Sequence, residues 1–577
     1  MSNFLITDEE IEAELLQDDD DSSVFSEGSE DEDNLHISEH DSESDLVYTS
    51  ENEAIPITGN YFLSKDKKTK WSKEPVSQMG RPKSHNIISH LPGVRTTAKL
   101  AKKPKEIFSL FFDDQVMDSL VLYSNMYIMK VRERFERARN ARNTDRVEMN
   151  AFLGLLLYAG TYRASHLHFK DLWDQDGPEI FSITMSYDRF LFLLRCIRFD
   201  DTDSREVRKK NDKLAAVRDF ISALQTNFLK VYTPAEYLTI DEQLIPFRGR
   251  CPFRQYLPNK PKKYGIKVFA MVDSRTFYLL NFEIYSGNQP EGPFKKSNSP
   301  IEIVQRLVIP ISGTGRNITT DNWYTSLPLA KNLLKKKLTI VGTLRKNKPD
   351  IPLEFLPSKQ KEVNSSLFGF TKEVTMTSYV PARSRSVVII STIHKDKKID
   401  ESTGPQQKPE IVTFYNCTKG GVDTCDQLCS NYSVGRRTRR WPLAVFFHFV
   451  NVSALNSYII FKANTGQKIM RRVFLKDLAK DLVLKCVQRR MEDLHIHRSL
   501  RQKIKLYLIE RGVTSVTANV RPENDRSRCT TKSAKRKRCH ICPSTNDNKH
   551  SVVCSLCSQH ICKMHTKLIC ISCEGDD

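Results

Sequence analysis

Hydrophobic residues recur with helical spacing through a long early part of this 577-residue chain. From Pro104 to about Tyr232, apolar positions return every three or four residues, the period of a helix with one buried face. The clearest segments are "EIFSLFFDDQVMDSLVLYSNMYI", "RVEMNAFLGLLLYAGTYRA" and "SYDRFLFLLRCIRF". The pattern predicts an all-α stretch in which most of these apolar residues form the core.

After Tyr232 the apolar runs become short or alternate with polar residues, as they do in β-strands. Strands are predicted at Glu236–Asp241, Tyr264–Ser274 and Thr276–Gly287. A helix ("SPIEIVQRLVIPI"), a strand ending in "RNITTDNW", a helix ("LPLAKNLLKKK") and a strand ("LTIVGTLR") follow. Three strands, helix, strand, helix and strand is the order of elements expected of an RNase H-like α/β fold, which we therefore predict.

Pro-rich loops and short strands such as "SVVIISTIH" interrupt this pattern at residues 347–408, which we interpret as an inserted β-rich module. The α/β pattern resumes at "EIVTFYNCTKGGVDTCDQ", and long helices are predicted from about Trp441 to Glu510. Several polar residues interrupt the apolar run Trp441–Phe461, so we expect a buried helix there rather than a membrane span. Because Met1–Gln17 is acidic, we predict no secretory signal peptide.

Charge is distributed unevenly along the chain. The formal net charge is +19, from 89 Lys and Arg against 70 Asp and Glu. The first 64 residues contain 20 acidic and no basic residues, so residues 65–577 carry 89 basic and 70 − 20 = 50 acidic side chains. We expect the acidic, Ser-rich start to be disordered and the basic segment Lys65–Lys105 to be a flexible arm. The basic excess favours a polyanionic partner such as nucleic acid, although it also serves solubility.

Aspartates occupy the positions at which an RNase H-like sheet carries catalytic carboxylates. Asp241 closes the first predicted strand, Asp321 follows the fourth, and Asp423 begins the helix after the insertion. Asp426 lies one helical turn further on, on the same face. Each aspartate alone is also a common turn former or helix cap. Together they predict a site for Mg²⁺ (or Mn²⁺), with two cations supporting phosphodiester chemistry.

Cysteines cluster at the end of the sequence, where eight of the 14 lie between Cys529 and Cys573. Within this cluster, paired Cys and His residues at two-residue spacing supply eight ligands, enough for two tetrahedral Zn²⁺ ions. These ligands are Cys539, Cys542, Cys554, Cys557, Cys562, His565, Cys570 and Cys573. Structural zinc would supply the folding free energy that so short a module lacks.

Several long segments together resemble the piggyBac family of DNA transposases. They are "LTIDEQLIPFRGRCPFRQYLPNKPKKYGIK", "RNITTDNWYTSLPLAKNLL", "YNCTKGGVDTCDQ", "RRTRRWPLA" and the terminal Cys/His cluster. The resemblance covers roughly residues 90–577. It implies that Asp241, Asp321 and Asp423 are a catalytic triad that binds Mg²⁺, with Asp426 as an additional acidic position.

The same resemblance implies a cut-and-paste reaction on double-stranded DNA. A metal-activated water nicks each transposon end at its terminal inverted repeat, and the freed 3′-OH forms a hairpin on the transposon. After the hairpin reopens, the ends join to TTAA target sites, and excision leaves no scar. Because two ends are held together, we expect a homodimer or a higher synaptic assembly, with no membrane partner.

Two basic segments are candidate DNA contacts, because basic side chains bind phosphates while aromatic rings stack on bases. The first alternates cations with aromatic residues: Arg248, Arg250, Arg254, Lys260, Lys262, Lys263 and Lys267 among Phe247, Phe253, Tyr256 and Tyr264. The second contains Arg436, Arg437, Arg439, Arg440 and Trp441. Trp441 is a candidate for stacking on an extruded base, with ordinary core burial as the alternative.

Family resemblance also implies a cross-brace arrangement of the two zinc sites. Cys539, Cys542, Cys562 and His565 would bind one ion, and Cys554, Cys557, Cys570 and Cys573 the other. Pairing in sequence order remains an alternative. The basic stretch "KSAKRKR" (Lys532–Arg538) before the cluster suits nuclear import as well as phosphate contact, so we predict nuclear localisation.

The predicted fold class is a multidomain α/β protein with a disordered acidic N-terminus. Its predicted parts are an N-terminal region (1–90), a helical dimerisation and DNA-binding domain split in sequence (91–235 and 433–512), an RNase H-like catalytic domain (236–346 and 409–432), a β-rich insertion (347–408), a basic linker (513–538) and a zinc-binding domain (539–573). Two other functions remain open: a domesticated DNA-binding protein without transposition activity, and a chromatin reader that uses the terminal finger.

Overall fold

A computed structural model describes most of the chain in two compact units. It describes residues 59–75, 88, 90–135, 137–257, 263–493, 495–513, 531–543, 549–553 and 559–565. The large unit ends at Leu506 and the small unit begins at Tyr507.

Helices make up the first and last parts of the large unit. In chain order they are α1 (Pro104–Phe108), α2 (Asp114–Val131), α3 (Arg146–Thr161), α4 (Glu179–Thr184), α5 (Tyr187–Cys196), α6 (Arg205–Lys209), α7 (Arg218–Val231), α8 (Pro300–Leu307), α9 (Leu327–Lys335), α10 (Glu410–Lys419), α11 (Gly421–Asn431), α12 (Trp441–Thr465), α13 (Arg471–Met491) and α14 (Arg498–Glu510). Side-chain caps fix several starts, as where Asp145 accepts a hydrogen bond from the Glu148 N–H at 2.8 Å.

The two helical stretches pack against each other although they are far apart in sequence. Helix α3 lies along α13, and Gly154 lies directly against it. A Cβ at Gly154 would lie 2.8 Å from Val483 Cγ1 and 2.9 Å from the Ala479 carbonyl oxygen, so only glycine fits there. Nearly every residue of α3 is buried, which explains why its sequence is apolar on all sides.

Among the described residues, α12 is the one helix long and apolar enough to cross a membrane, with a mean hydropathy of 1.6 in its most apolar window. Of that window, 83% is buried inside the protein. Two of its polar side chains are bonded inside the protein: Asn456 pairs with both backbone polar groups of Leu279, and Ser457 donates to the Ser453 carbonyl oxygen. The helix therefore forms the predicted buried core element.

Strands of the large unit form one mixed sheet of eleven strands. Its strands are β1 (Tyr61–Leu63), β2 (Lys70–Ser72), β5 (Tyr237–Pro246), β6 (Gln255–Tyr256), β7 (Tyr264–Asp273), β8 (Leu279–Ile284), β9 (Asn317–Thr320), β10 (Thr339–Thr343), β11 (Ser366–Phe370), β12 (Thr375–Tyr379) and β13 (Val387–Ser391). Two short strands, β3 (Gly93–Val94) and β4 (Tyr232–Thr233), pair separately. The sheet order is β1-β2-β11-β12-β13-β10-β9-β5-β7-β6, with β8 also paired to β7.

The central strands have the predicted order of elements. Strand β9 lies parallel to β5 on one side and to β10 on the other. Strands β7 and β8 continue from β5 in antiparallel pairs. Helices α8 and α9 connect β8 to β9 and β9 to β10. Apart from the additional two-residue strand β6, three strands, helix, strand, helix and strand therefore follow one another as predicted.

Residues 347–408 extend this sheet. Strand β13 pairs antiparallel with β10, and β12 and β11 follow outward. The segment predicted as an inserted module thus continues the hydrogen-bonded ladder of the central strands. Helix α10 packs over this part of the sheet, where Ile411 and Tyr415 join Val341 and Ile389 in one apolar cluster.

The prediction of a flexible arm from Lys65 is wrong for the residues around Trp71. Strands β1 and β2 form a hairpin whose second strand pairs with β11. Trp71 is completely buried, and its indole N–H donates to the Asp350 carbonyl oxygen at 3.0 Å. Phe62 contacts Phe355 edge to face. The basic composition of this segment gave no sign of the hairpin, because the hairpin is buried through one aromatic side chain among many lysines.

In the small unit, part of the predicted basic linker is a strand. Strand β14 (Thr531–Arg538) pairs antiparallel with β15 (Lys549–Val553), with an irregular register between Lys532 and Lys537. The described end of β14 leads directly to Cys539. This hairpin places one end of the terminal cysteine cluster.

Candidate active site

Asp241 and Asp321 meet because their strands are parallel neighbours. Ile240 pairs with Thr320 between β5 and β9, and the two aspartates are the residues that directly follow this pair. Strand β9 ends at Thr320, which leaves Asp321 at the start of a turn. The prediction that Asp241 closes its strand is wrong, since β5 continues to Pro246 in its pairing with β7.

A third carboxylate, that of Glu242, completes the cluster. Oxygens of Asp241, Glu242 and Asp321 all lie within 4.8 Å of one another. Sequence reasoning missed Glu242, which directly follows Asp241 and gives no other signal in the sequence. Tyr324 lies fully buried against the same three carboxylates, and burial together with their charge raises its pKa.

Burial and mutual repulsion destabilise the ionised forms of these acids. Burial raises the pKa of Asp241 well above its usual value, and Glu242, Asp321 and Asp423 raise it further. Burial and Glu242 raise the pKa of Asp321 to about 6, although backbone N–H groups that donate to its carboxylate oppose the shift. A hard divalent cation would relieve this repulsion, and oxygen-only donors are the ligands that Mg²⁺ and Mn²⁺ prefer.

Asp423 lies at the start of α11, near the cluster but not in it. A Cβ at Gly421 would lie 2.5 Å from Thr239 Oγ1, so glycine lets the helix begin directly against β5. Asp423 is exposed and contributes to the raised pKa of Asp241. Asp426 is half-buried one turn later and is likewise outside the group of three. The structure therefore groups two of the four predicted aspartates with Glu242.

The first basic segment presents a mixed surface. Arg248, Arg250, Arg254 and Lys263 are exposed, whereas Lys260 and Lys262 lie outside the described residues. Tyr256 and Tyr264 are exposed and have ring centroids 4.8 Å apart. Phe247 and Phe253 are buried and belong to the core. Lys267 differs from the other cations, because its Nζ lies 2.6 Å from Glu242 Oε1 in the acidic site.

In the second basic segment, two arginines are held by the protein itself. Arg440 donates to the carbonyl oxygens of Leu194, Arg195 and Ile197 at the end of α5, at distances of 3.1, 2.9 and 2.5 Å. Arg436 donates to the Leu167 carbonyl oxygen at 2.5 Å. The Arg440 guanidinium therefore caps a helix C-terminus, and its contact with DNA stays a prediction. Burial lowers its pKa to about 9.

The other members of this segment are more accessible. Arg439 is exposed, and Arg437 and Trp441 are half-buried. Trp441 begins α12 and meets Phe253 edge to face, with ring centroids 5.1 Å apart. A Cβ at Gly249 would lie 3.1 Å from the Arg439 carbonyl oxygen. The two basic segments, distant in sequence, therefore lie side by side.

In the small unit, Cys539, Cys542, Cys562 and His565 form a compact group whose ligand atoms lie within 4.8 Å of one another. His565 Nδ1 lies 3.6, 3.5 and 3.2 Å from the three sulfurs in that order. Three sulfurs and one imidazole nitrogen suit tetrahedral Zn²⁺. This is the first group of the cross-brace arrangement. Its second group, Cys554, Cys557, Cys570 and Cys573, lies outside the described residues.

The chain is similar to known proteins over most of its length. A family model described as "Transposase IS4" matches residues 103–458. Human PiggyBac transposable element-derived protein 3 is 24% identical over 370 residues, 60% of this chain and 60% of that protein. Human PiggyBac transposable element-derived protein 2 is 23% identical over 405 residues, 67% of this chain and 65% of that protein. The chain thus spans about three fifths of the length of these relatives.

A solved structure matches more of the chain. It is a piggyBac transposase in a synaptic complex with hairpin DNA, determined by cryo-EM. The TM-score is 0.71 at 37% sequence identity, and the match covers 84% of this chain and 100% of that chain. Since the family model also spans more than half of the sequence, the chain belongs to the piggyBac family of DNA transposases.

Proposed function

We propose that this protein is a cut-and-paste DNA transposase with an RNase H-like catalytic core. It nicks double-stranded DNA at terminal inverted repeats, forms hairpins on the transposon ends and joins them to TTAA sites, so that excision leaves no scar. The observation that carries this proposal is the convergence of Asp241 and Asp321 from two parallel strands, in a chain of this family.

Mg²⁺ or Mn²⁺, two per active site, is the cofactor proposed for this reaction. When bound, such cations activate the attacking oxygen and stabilise the leaving oxygen of a phosphodiester. Asp241 and Asp321 would hold them together with Asp423 and Asp426, which lie on α11. The turn after β9 positions Asp321 through backbone N–H groups of Trp323 and Tyr324, so this carboxylate is oriented before any ligand arrives.

Exposed cations of the two adjacent basic segments would bind the DNA. Arg248, Arg250, Lys263 and Arg439 offer charge for phosphates, and the exposed pair Tyr256 and Tyr264 offers rings for base stacking. Trp441, at the junction of the two segments, is the residue proposed to stack on an extruded base. A homodimer or a larger synaptic assembly is proposed, because the matching solved transposase is in a synaptic complex.

The small unit is proposed to bind two structural zinc ions and to recognise the terminal repeats. Side-chain geometry supports one site, since the ligand atoms of Cys539, Cys542, Cys562 and His565 lie within 4.8 Å of one another. Although burial opposes this, N–H groups of Ile541, Cys562 and Cys542 lower the pKa of the Cys539 thiol to about 5, whereas burial and the neighbouring sulfurs raise the pKa of Cys542 to about 11. A bound cation would therefore be needed to stabilise the Cys542 thiolate. Nuclear localisation is proposed from the basic stretch Lys532–Arg538.

A domesticated DNA-binding protein is the second candidate, because the human relatives are named as transposable element-derived proteins. Both candidates bind DNA, but only the transposase cleaves it. A chromatin reader would instead bind histone peptides through residues 535–577 without preference for repeat DNA.

Cleavage of the element's own terminal repeats separates these functions. Wild-type protein with Mg²⁺ should nick and hairpin such DNA, and Asp241→Asn, Asp321→Asn and Asp423→Asn should bind the DNA without cleaving it. Asp396→Asn is a matched control, because this aspartate is exposed and lies outside the acidic cluster. DNA binding without cleavage by the wild type would support the domesticated protein, and full cleavage by any of the three variants would refute the triad.

A further inference from the structure

Lys267 lies inside the acidic site. Its Nζ is 2.6 Å from Glu242 Oε1, and the two side chains are only 14% and 16% exposed. Register explains the contact, since Glu242 pairs with Phe269 and Leu244 with Lys267, so lysine and glutamate are diagonal neighbours on one face of β5 and β7.

Two aromatic rings hold the ammonium group in place. Phe269 and Trp323 are stacked, with ring centroids 5.8 Å apart and planes within 9°. Lys267 Nζ lies 4.6 Å from the Trp323 centroid and 5.0 Å from that of Phe269. A cation against two ring faces is stabilised by their quadrupoles. The backbone N–H of Trp323 donates to Asp321 Oδ1 at 3.0 Å, so the turn that orients Asp321 also positions the Trp323 ring.

The Lys267–Glu242 pair differs from an ordinary ion pair because Glu242 belongs to a group of carboxylates. Three carboxylates lie within 4.8 Å of one another. Lys267 pairs with Glu242, and Arg345 lowers the pKa of Asp321. Arg345 is exposed, whereas Lys267 is largely buried and clamped. Lys267 therefore supplies a positive charge that is enclosed with the cluster.

We propose that Glu242 is a third carboxylate ligand for the divalent cation and that Lys267 is its positioning residue and built-in counter-ion. Without a cation, Lys267 neutralises Glu242 and holds it beside Asp241 and Asp321. When a cation binds, Glu242 turns from the ammonium towards it, so Lys267 competes with the cation for this carboxylate. This inference rests on the proposed metal-dependent function.

Glu283 and Arg306 provide a matched control. They form a pair of 2.7 Å with side chains 19% and 21% exposed, on β8 and α8. Distance and burial resemble those of the Lys267–Glu242 pair, but Glu283 is not part of the carboxylate group. If the Lys267–Glu242 pair were merely structural, substitutions in it and in the Glu283–Arg306 pair should have the same effect on cation binding.

Calorimetric titration of the full chain with Mn²⁺, in the absence of DNA, tests the proposal. Glu242→Gln should weaken Mn²⁺ binding by about tenfold, because a charged ligand is lost. Lys267→Met should tighten it by at least about threefold, because the competing charge is gone. Lys267→Arg keeps the positive charge and should retain the wild-type affinity for Mn²⁺, and Glu283→Gln should not change that affinity. Thermal melts in EDTA identify any variant that fails to fold, and Lys267→Gln then replaces Lys267→Met.

The outcomes separate this inference from the proposed function. Wild-type affinity in both Glu242→Gln and Lys267→Met, with binding lost in Asp241→Asn, would overturn the roles of Glu242 and Lys267 alone. Weaker binding in Lys267→Met would also overturn the competition. Mn²⁺ binding that does not depend on Asp241 would overturn the proposed metal site and this inference with it.

Discussion

Asp241 and Asp321 directly follow a paired position, Ile240 and Thr320, on two parallel strands of the central sheet. The backbone ladder, rather than a loop, therefore sets their separation. A ladder position is stiff, because each neighbouring residue is held by inter-strand hydrogen bonds. Such stiffness suits a site whose like charges repel, since the two strands hold the backbones of both aspartates close together.

The two acids of α11 should differ in importance. Asp423 raises the pKa of Asp241, whereas Asp426 acts on the Cys425 thiol, whose pKa is raised by Cys429, by burial and by Asp426. We expect Asp423→Asn to lower excision by at least about a hundredfold and Asp426→Asn by less than about tenfold. A cell-based excision assay with family-type terminal repeats measures both. Equal losses would show that the two acids contribute equally to the active site.

Substitution of Arg440 should affect the stability of the protein, whereas substitution of Arg439 should affect DNA binding. Arg440→Met removes three hydrogen bonds to the end of α5, and we expect it to destabilise the protein by about 2 kcal/mol. Arg439→Met, at an exposed position, should leave chemical denaturation unchanged and weaken DNA binding at low salt. Urea denaturation and fluorescence anisotropy provide the two readouts. Unchanged stability in Arg440→Met would contradict the capping role.

Glu148 should make stability depend on pH. It is buried in α3 and accepts two hydrogen bonds from Arg189, at 2.9 and 2.6 Å. Burial alone would raise its pKa, but Arg189 and Arg142 outweigh burial and lower it. A depressed carboxyl pKa stabilises the fold above the unfolded pKa, and this contribution is lost as pH falls through the folded pKa.

Glu148→Gln should therefore lower the free energy of unfolding by about 3 kcal/mol at pH 7, because it leaves Arg189 buried without its partner charge. The difference between variant and wild type should shrink in acid, as measured by denaturation between pH 7 and pH 3. The exposed ion pair of Asp118 with Arg146 is the control, and Asp118→Asn should leave the denaturation curve unchanged. A pH-independent difference would argue against the ion pair as the cause.

Trp71 should anchor the β1–β2 hairpin to the sheet. Trp71→Ala removes a completely buried indole and its hydrogen bond to Asp350, at a cost of about 3–5 kcal/mol if the hairpin stays docked. If the hairpin instead detaches from the sheet, the loss of stability is smaller. Its backbone hydrogen bonds then open more often, so we expect faster hydrogen exchange in residues 61–72 and in β11. Lys70→Ala, at the exposed neighbouring position, should exchange like the wild type. Unchanged protection in Trp71→Ala would refute the anchoring.

Zinc content should follow the cysteine groups. Native mass spectrometry of the wild type should show two zinc ions, and Cys562→Ser should show one, because it removes a ligand of the Cys539 group. Cys251→Ser is the control, since Cys251 lies outside the terminal cluster and should keep both ions. Two ions in Cys562→Ser would contradict the proposed ligand set.

Patterns along the chain predicted the helical stretches, the order of the central strands and helices, and the placement of Asp321 and Asp423. These features depend on neighbours close in sequence: the period of the apolar side chains, a residue after a strand and a glycine before a helix. The membership of Cys539, Cys542, Cys562 and His565 in one group came from family resemblance, because spacing alone left the pairing open.

Contacts between distant segments could not be predicted in this way. Register across β5 and β7 brought Lys267 to Glu242, and packing of α5 against the segment before α12 bound Arg440 to a helix end. In both cases composition indicated a DNA contact, since an arginine or lysine in a basic run has the same sequence signal whether it faces solvent or a carbonyl. The sequence by itself determined which carboxylates and cations the protein carries and the elements that hold them. Only the tertiary structure decided which cation is enclosed with which acid, because strand register and helix packing are long-range choices that local periodicity does not encode.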